Sequence, residues 1–235
     1  MKLGLSALFS LVLVSGVLSV PLEKRANPAG IDVSDFQTNV NWATVKANGI
    51  QFAYVKATEG TTFISNQFAQ QYNGAFNQGI IRGAYHFAHP DTSTGAAQAS
   101  FFVAHGGGWS ADGLTLPGTL DIETNPNGAT CYGLSTSAMV SWISSFVNEY
   151  HSLTTRFPVI YTTTSWWNQC TGSSTAFAAN SPLWIAHFTT ASSPGALPAG
   201  WSVFTFWQFA DSGTNPGDAD TFNGAFSQLQ KIALG

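Results

Sequence analysis

A rhythm in the chain constrains its fold more than any other feature. Short apolar runs rich in β-branched and aromatic residues alternate with longer amphipathic or Ala/Gln-rich stretches. The runs fall near 30–33, 52–57, 80–87, 116–123, 158–162, 183–188 and 204–209. Strands separated by helical segments form a parallel sheet, because a parallel neighbour is reached only through a crossover, and the usual crossover is a helix. Asn41 predicts the cap of a helix through Asn48 with Gly49 as its stop, and Asn66 the cap of another to Gln78, ahead of Gly79. The segment 93–105 closes on Gly106-Gly107-Gly108. The longest helical pattern spans 135–152, with Met139, Trp142, Ile143, Phe146, Val147 and Tyr150 at helical spacing. After Trp166 the helical signal fades and Ser, Thr, Pro and Gly dominate, so the later strands are expected to be joined by turns, as antiparallel neighbours are. A regular eight-fold barrel takes roughly 250 residues. This chain has fewer, which argues for a single barrel domain with a truncated second half.

The ends of the chain carry a separate message. Met1-Lys2 and an apolar run from Leu3 to about Val20 read as a secretory signal peptide over 1–19, followed by a short propeptide over 20–25 that ends in the dibasic pair Lys24-Arg25. The catalytic barrel is then expected over 26–235, secreted, extracellular and monomeric, with no membrane span in the mature form. Removing 1–25 takes away Lys2, Lys24, Arg25 and Glu23, so the net charge moves from -4 to -6. Cys131 and Cys170 suit an oxidising compartment and, with no third thiol to compete, are expected to pair. A metal site is disfavoured, since neither cysteine has a second Cys or a His at ligand spacing and His86, His89, His105, His151 and His187 are scattered.

Composition sharpens the search for function. Charged residues make up only 9%, against roughly 25% in an ordinary domain. An acidic chain with so few cations lacks the basic footprint of a nucleic-acid binder, and 44% hydrophobic residues exclude disorder. Each carboxylate inside an apolar stretch therefore asks for a reason. Asp32 closes the first run, Asp121 and Glu123 close the fourth, and Asp218 and Asp220 sit in what reads as a tight turn after the seventh. Active sites of α/β barrels gather at the C-terminal strand ends. Residues i and i+2 of a strand share a face, so Asp121 and Glu123 project together while Ile122 faces the helices. Two carboxylates held that close repel when both ionise, and one keeps its proton to higher pH. That asymmetry is what glycoside hydrolysis uses. Tyr85, Tyr161, Trp184 and Trp207 lie on strands where a ring can stack on a sugar or a hydroxyl can reach an acetamido group, with core packing as the alternative for each. Trp166-Trp167 read either as a rim of the mouth or as packing.

Taken in order, Gly30-Ile31-Asp32-Val33-Ser34, Tyr54-Val55-Lys56-Ala57-Thr58-Glu59-Gly60, Gly83-Ala84-Tyr85-His86-Phe87, Leu120-Asp121-Ile122-Glu123, Val159-Ile160-Tyr161-Thr162, Leu183-Trp184-Ile185-Ala186, Trp207-Gln208-Phe209 and Asp218-Ala219-Asp220 resemble glycoside hydrolase family 25, the Chalaropsis-type lysozymes or N,O-diacetylmuramidases. The resemblance covers nearly the whole mature chain. It implies an irregular TIM-like barrel of eight strands with fewer outer helices in the C-terminal half, no cofactor, and bacterial peptidoglycan as substrate. The bond implied is the β-1,4 link between N-acetylmuramic acid and N-acetylglucosamine. By position Glu123 resembles the general acid/base, and Asp121 the residue that orients a substrate 2-acetamido group acting as nucleophile, with Asp32 and Asp218 as flanking acids. Lys56 and Glu59 match the second-strand motif, as an ion pair supporting the mouth or as a sugar contact. The family often has Asp-X-Asn where this chain has Asp218-Ala219-Asp220, so Asp220 is an added acid. Two other readings remain: a glycosidase of chitin-like N-acetylated glycans, disfavoured because Leu116-Pro117-Gly118-Thr119 precede Leu120 without the further acids of chitinases, and a catalytically inactive glycan-binding barrel, disfavoured by the four acids together.

Overall fold

The computed structural model describes residues 27–235, so the signal peptide and dibasic cut expected in 1–25 lie outside the described residues. In chain order the elements are β1 (Ala29–Val33), α1 (Trp42–Ala47), β2 (Phe52–Glu59), β3 (Phe63–Ile64), α2 (Phe68–Asn77), β4 (Ile81–Phe87), α3 (Gly95–Phe102), β5 (Thr119–Asp121), α4 (Thr136–Thr154), β6 (Val159–Thr162), α5 (Thr164–Thr171), β7 (Leu183–Ala186), β8 (Phe206–Ala210), β9 (Asp218–Phe222) and α6 (Phe226–Leu234). Eight strands close in the order β1-β2-β4-β5-β6-β7-β8-β9 and back to β1. The first seven are mutually parallel, and β9 runs antiparallel to both β8 and β1. Strand β3 is a two-residue flap paired to the end of β2.

The helix signals act largely where the sequence places them. Asn41 caps α1 through Thr44 N at 3.1 Å, Thr94 caps α3, and Ser135 caps α4. Helix α4 buries Met139, Trp142, Ile143, Phe146, Val147 and Tyr150 against the outer face of the sheet, among them Ala84, Leu120, Ile122 and Ile160. Each such side chain stabilises the fold by about 1.5–3 kcal/mol. Helix α2 begins at Phe68, one residue later than the Asn66 cap predicts, with no side-chain cap at Gln67.

Three expectations are corrected. Residues 218–222 form a strand rather than a tight turn. Its Asp-rich start has poor β propensity, and it is made by pairing on both edges. Gly217 at φ 79° lets it enter, since a Cβ there would collide with the Asp32 carbonyl. Second, the fourth run yields only three strand residues, so Glu123 lies two positions beyond β5. Third, helices do occur late in the chain: α5 is capped by Thr163, and α6 is set by Leu229 and Ala233 at helical spacing. Among the described residues no helix separates β7 from β8 or β8 from β9, so the C-terminal half is indeed the thinner one.

Strand parity divides the interior into levels. Phe52, Ile81, Val159, Phe206 and Phe222 fill the end where the parallel strands begin, and Leu229 and Ala233 of α6 seal it. Tyr54 and Trp184 stack above them with ring centroids 4.7 Å apart. The level above these rings is polar.

Candidate active site

At the C-terminal mouth of the barrel all eight barrel strands contribute side chains to one cleft of about 270 Å³. Asp32, Lys56, Tyr85, Asp121, Glu123, Tyr161, Trp184, Gln208 and Asp218 line it. Alternation does the placing: Tyr54 and Lys56, Gly83 and Tyr85, Thr119 and Asp121, Phe206 and Gln208 are each i, i+2 pairs whose first member lies deeper. Register then aligns neighbours, with Asp32 opposite Asp218 across the β1–β9 ladder and Phe87 opposite Asp121 across β4–β5.

The acids are wired together. Gln208 Nε2 donates to Asp32 Oδ2 at 2.7 Å and to Asp218 Oδ2 at 3.0 Å, and its Oε1 accepts from the Tyr161 hydroxyl at 2.8 Å. Asp220 lies beneath, fully buried, with Oδ1 accepting from Trp184 Nε1 at 2.9 Å. Lys56 Nζ binds Glu59 Oε2 at 2.6 Å between the rings of Phe63 and Phe87, and Glu59 Oε1 meets His89 Nε2 at 2.7 Å. Lys56 is thus both half of an ion pair and part of the cleft wall. The loop after β5 that carries Glu123 is tied down by the Cys131–Cys170 disulfide to α5. A 39-residue separation gives such a link a loop-entropy stabilisation of about 4 kcal/mol.

Burial and crowding hold the carboxyls on their protons. Asp32 is pushed up to about 7, first by burial and then by the charge of Asp218, against the Gln208 hydrogen bond. Glu123 is pushed up to about 6 by burial and by Asp218, with Lys56 drawing it back. Asp121 stands well above the carboxylate range through burial and Glu123, again opposed by Lys56. Asp220 is raised by burial and by the Asp32 charge, with the Trp184 hydrogen bond drawing it back, and its Oδ2 is buried without a hydrogen-bond partner. Asp218 is raised by burial and by Asp211. Tyr85 and Tyr161 are raised by burial above all, so their hydroxyls remain neutral donors. Asp121 Oδ1 is buried without a hydrogen-bond partner.

This arrangement, several buried acids with one of them near 6 beside a cation, suits acid-catalysed cleavage of an acetal bond. The glycosyl hydrolases family 25 description matches residues 31–218. The chain belongs to glycosyl hydrolase family 25. Lysozyme M1 of Streptomyces globisporus is 50% identical over 93% of this chain and 77% of its own length. The N,O-diacetylmuramidase of a Chalaropsis species is 47% identical over 88% of this chain and 99% of its own. The solved structure of a muramidase from Acremonium alcalophilum, 59% identical, superposes with a TM-score of 0.86 over 88% of this chain and 99% of that one.

Against this glycosyl hydrolase frame, seven of the eight expected site residues meet in the cleft: Asp32, Asp121, Glu123, Asp218, Tyr85, Tyr161 and Trp184. Trp207 does not. It packs outside the barrel against Leu183 and Ile185 and donates to the His187 carbonyl at 2.9 Å. Phe206 and Gln208 take the inward positions of β8, so parity would have named Gln208 instead. Trp184 faces inward but is covered by Tyr54 and Tyr161, forming the floor. Trp166 and Trp167 are buried under α5 and form no rim. Phe36, Gln37 and Phe87 also line the cleft, and nothing in their local sequence singles them out.

Proposed function

We propose that this family 25 hydrolase is a muramidase that cuts the β-1,4 bond between N-acetylmuramic acid and N-acetylglucosamine in bacterial peptidoglycan, with retention and substrate assistance. Glu123 is the acid. Its proton passes to the glycosidic oxygen as the bond from that oxygen to the anomeric carbon breaks, and the carbonyl oxygen of the 2-acetamido group closes on the anomeric carbon. Glu123, now a carboxylate, takes a proton from the water that attacks the same carbon, and the acetamido group is restored.

The observation that carries this reading is Asp121 Oδ1. A buried, unpartnered carboxyl oxygen costs free energy unless a donor arrives, and an acetamido N–H is such a donor. A hydrogen bond to the charged form favours ionisation, so substrate itself pulls Asp121 down from its raised state while Glu123 keeps the proton to be transferred. Asp32 and Asp218, bridged by Gln208, flank the site rather than break the bond, and Tyr85 and Tyr161 supply neutral hydroxyls. Export through the segment before residue 26 and action as an extracellular monomer complete the proposal.

Product analysis tests it. Digested peptidoglycan should carry new reducing ends at muramic acid with retained β configuration in the first product. Reducing ends at glucosamine, or faster release from chitin oligomers than from cell walls, would overturn the assignment of bond and substrate.

A further inference from the structure

The cleft carries one aromatic ring that the chemistry above does not use. Phe36, in the loop between β1 and α1, is 85% exposed, the most exposed large hydrophobic side chain among the described residues, yet it forms part of the cleft wall. The loop that presents it is clamped. Gln37 Oε1 accepts from Ser34 N at 2.9 Å, Phe36 N donates to Ser34 Oγ at 3.3 Å, and Gln37 N closes a turn on the Ser34 carbonyl at 3.2 Å. From α2, the buried Gln71 Nε2 donates to the Ser34 and Gln37 carbonyls, each at 2.7 Å, and Gln70 Nε2 donates to the Val40 carbonyl at 3.2 Å. Three loop carbonyls are thus held by two adjacent glutamines, while the largest side chain of the loop is turned outward.

The surroundings identify the occupant. Asp35, Gln37 and the exposed Thr38 and Asn39 are its chain neighbours, and the cleft it borders sets Asp32, Asp121, Glu123 and Asp218 beside Tyr85, Phe87 and Tyr161, a mixed polar and aromatic wall. An anionic ligand is repelled by the same acids. A neutral pyranose combines one apolar C–H face with polar edges, and a single preordered ring in a polar rim matches it. Phe36 follows β1, whereas Asp121 closes β5, three strands round the barrel, with Glu123 just beyond it, so the ring and the acid pair enter the cleft from different sides of the mouth.

We propose that Phe36 is the platform of an outer sugar subsite, stacking on a pyranose of the glycan strand beyond the two sugars that flank the cleaved bond. The subsite rests on the muramidase reading and deepens it. Its test uses Glu123→Gln, whose turnover is cut far enough to measure binding, titrated calorimetrically with peptidoglycan-derived glycan oligomers of increasing length, with and without Phe36→Ala. Removing the ring should weaken binding of long oligomers about tenfold, corresponding to about 1.4 kcal/mol, and remove the gain in affinity with length; Phe36→Trp should restore it. The ring makes few intramolecular contacts, so the melting temperature checks that the fold is intact. Unchanged affinity at every length overturns the subsite and leaves the muramidase reading standing. Equal loss at every length places Phe36 at the cleaved bond instead and overturns it as well. Failure of Glu123→Gln to bind any of these oligomers overturns the reading and the subsite together.

Discussion

The two ends of the barrel are built by the same strands with the same alternation, yet they obey opposite rules. At the base every inward position is apolar, and α6 closes it with Leu229 and Ala233. At the mouth the next inward positions along those strands are Asp32, Lys56, Tyr85, Asp121, Tyr161 and Gln208, joined by Glu123 from the loop and Asp218 from β9. The base satisfies the demand for burial without polar atoms. The mouth violates it, and the excess appears as raised carboxyls and an unpartnered oxygen on Asp121. Stability resides at one end and reactivity at the other, with the Tyr54–Trp184 stack between them.

The strongest test of this division is at the mouth. Glu123→Gln keeps shape and removes the transferable proton, and turnover of cell-wall suspensions should fall by about 10² to 10⁴-fold, roughly 3 to 5 kcal/mol of barrier, with an unchanged melting temperature. Lysis within a few-fold of the parent enzyme would remove Glu123 from its role. The reciprocal lesion, Leu229→Ala at the base, should cost about 2–5 kcal/mol of unfolding free energy in urea titrations while kcat changes less than about twofold. A comparable loss of turnover would mean that the two ends are coupled.

The pH dependence separates the ends next. Asp32, about 7 against an ordinary 3.8, and Glu123, about 6 against 4.5, bind protons more tightly folded than unfolded. Their contribution to stability is fully present below the unfolded values and is lost as pH rises through 6 and 7. Asp121, Asp218 and Asp220 act in the same direction. Buried His86, pushed down to about 4, opposes them, since it loses stability as pH falls from 6.5 to 4. With five acids against one imidazole, the melting temperature should decline between about pH 5 and about pH 8; a flat or rising profile contradicts this. The smallest effect is expected for Asp220→Asn. The amide keeps an acceptor for Trp184 and removes a buried charge beside Asp32, so the melting temperature should rise slightly at about pH 8 and stay put at about pH 5. A drop at both would show that the carboxylic acid itself is needed.

Much of the mouth is legible in the residues. Glu123 reaches the cleft from two positions beyond β5, but the inward facing of Asp121 and the position of Asp32 at a strand end follow from strand periodicity alone. So does the outward face of Ile122, which packs among the helices. The same periodicity, applied to Phe206-Trp207-Gln208, would have turned Trp207 outward and brought in Gln208; there the attraction of a tryptophan near a sugar site overrode parity. Phe36 was not legible, because its exposure depends on how Gln70 and Gln71 of another element hold the loop.

By itself, then, the sequence determined much of the strand and helix rhythm, the cap at Asn41, the cysteine pairing and the inward facing of Asp121, all of which arise from contacts within a few residues or from simple elimination. Only the tertiary structure decided that 218–222 is a strand, that it lies between β1 and β8, and that Gln208 reaches Asp32 across 176 residues of sequence. The reason is physical. A short Asp-rich segment has no preference strong enough to become a strand alone, and it becomes one when two edges offer it hydrogen bonds. Those edges exist only once seven other strands have curled far enough to leave a gap of one.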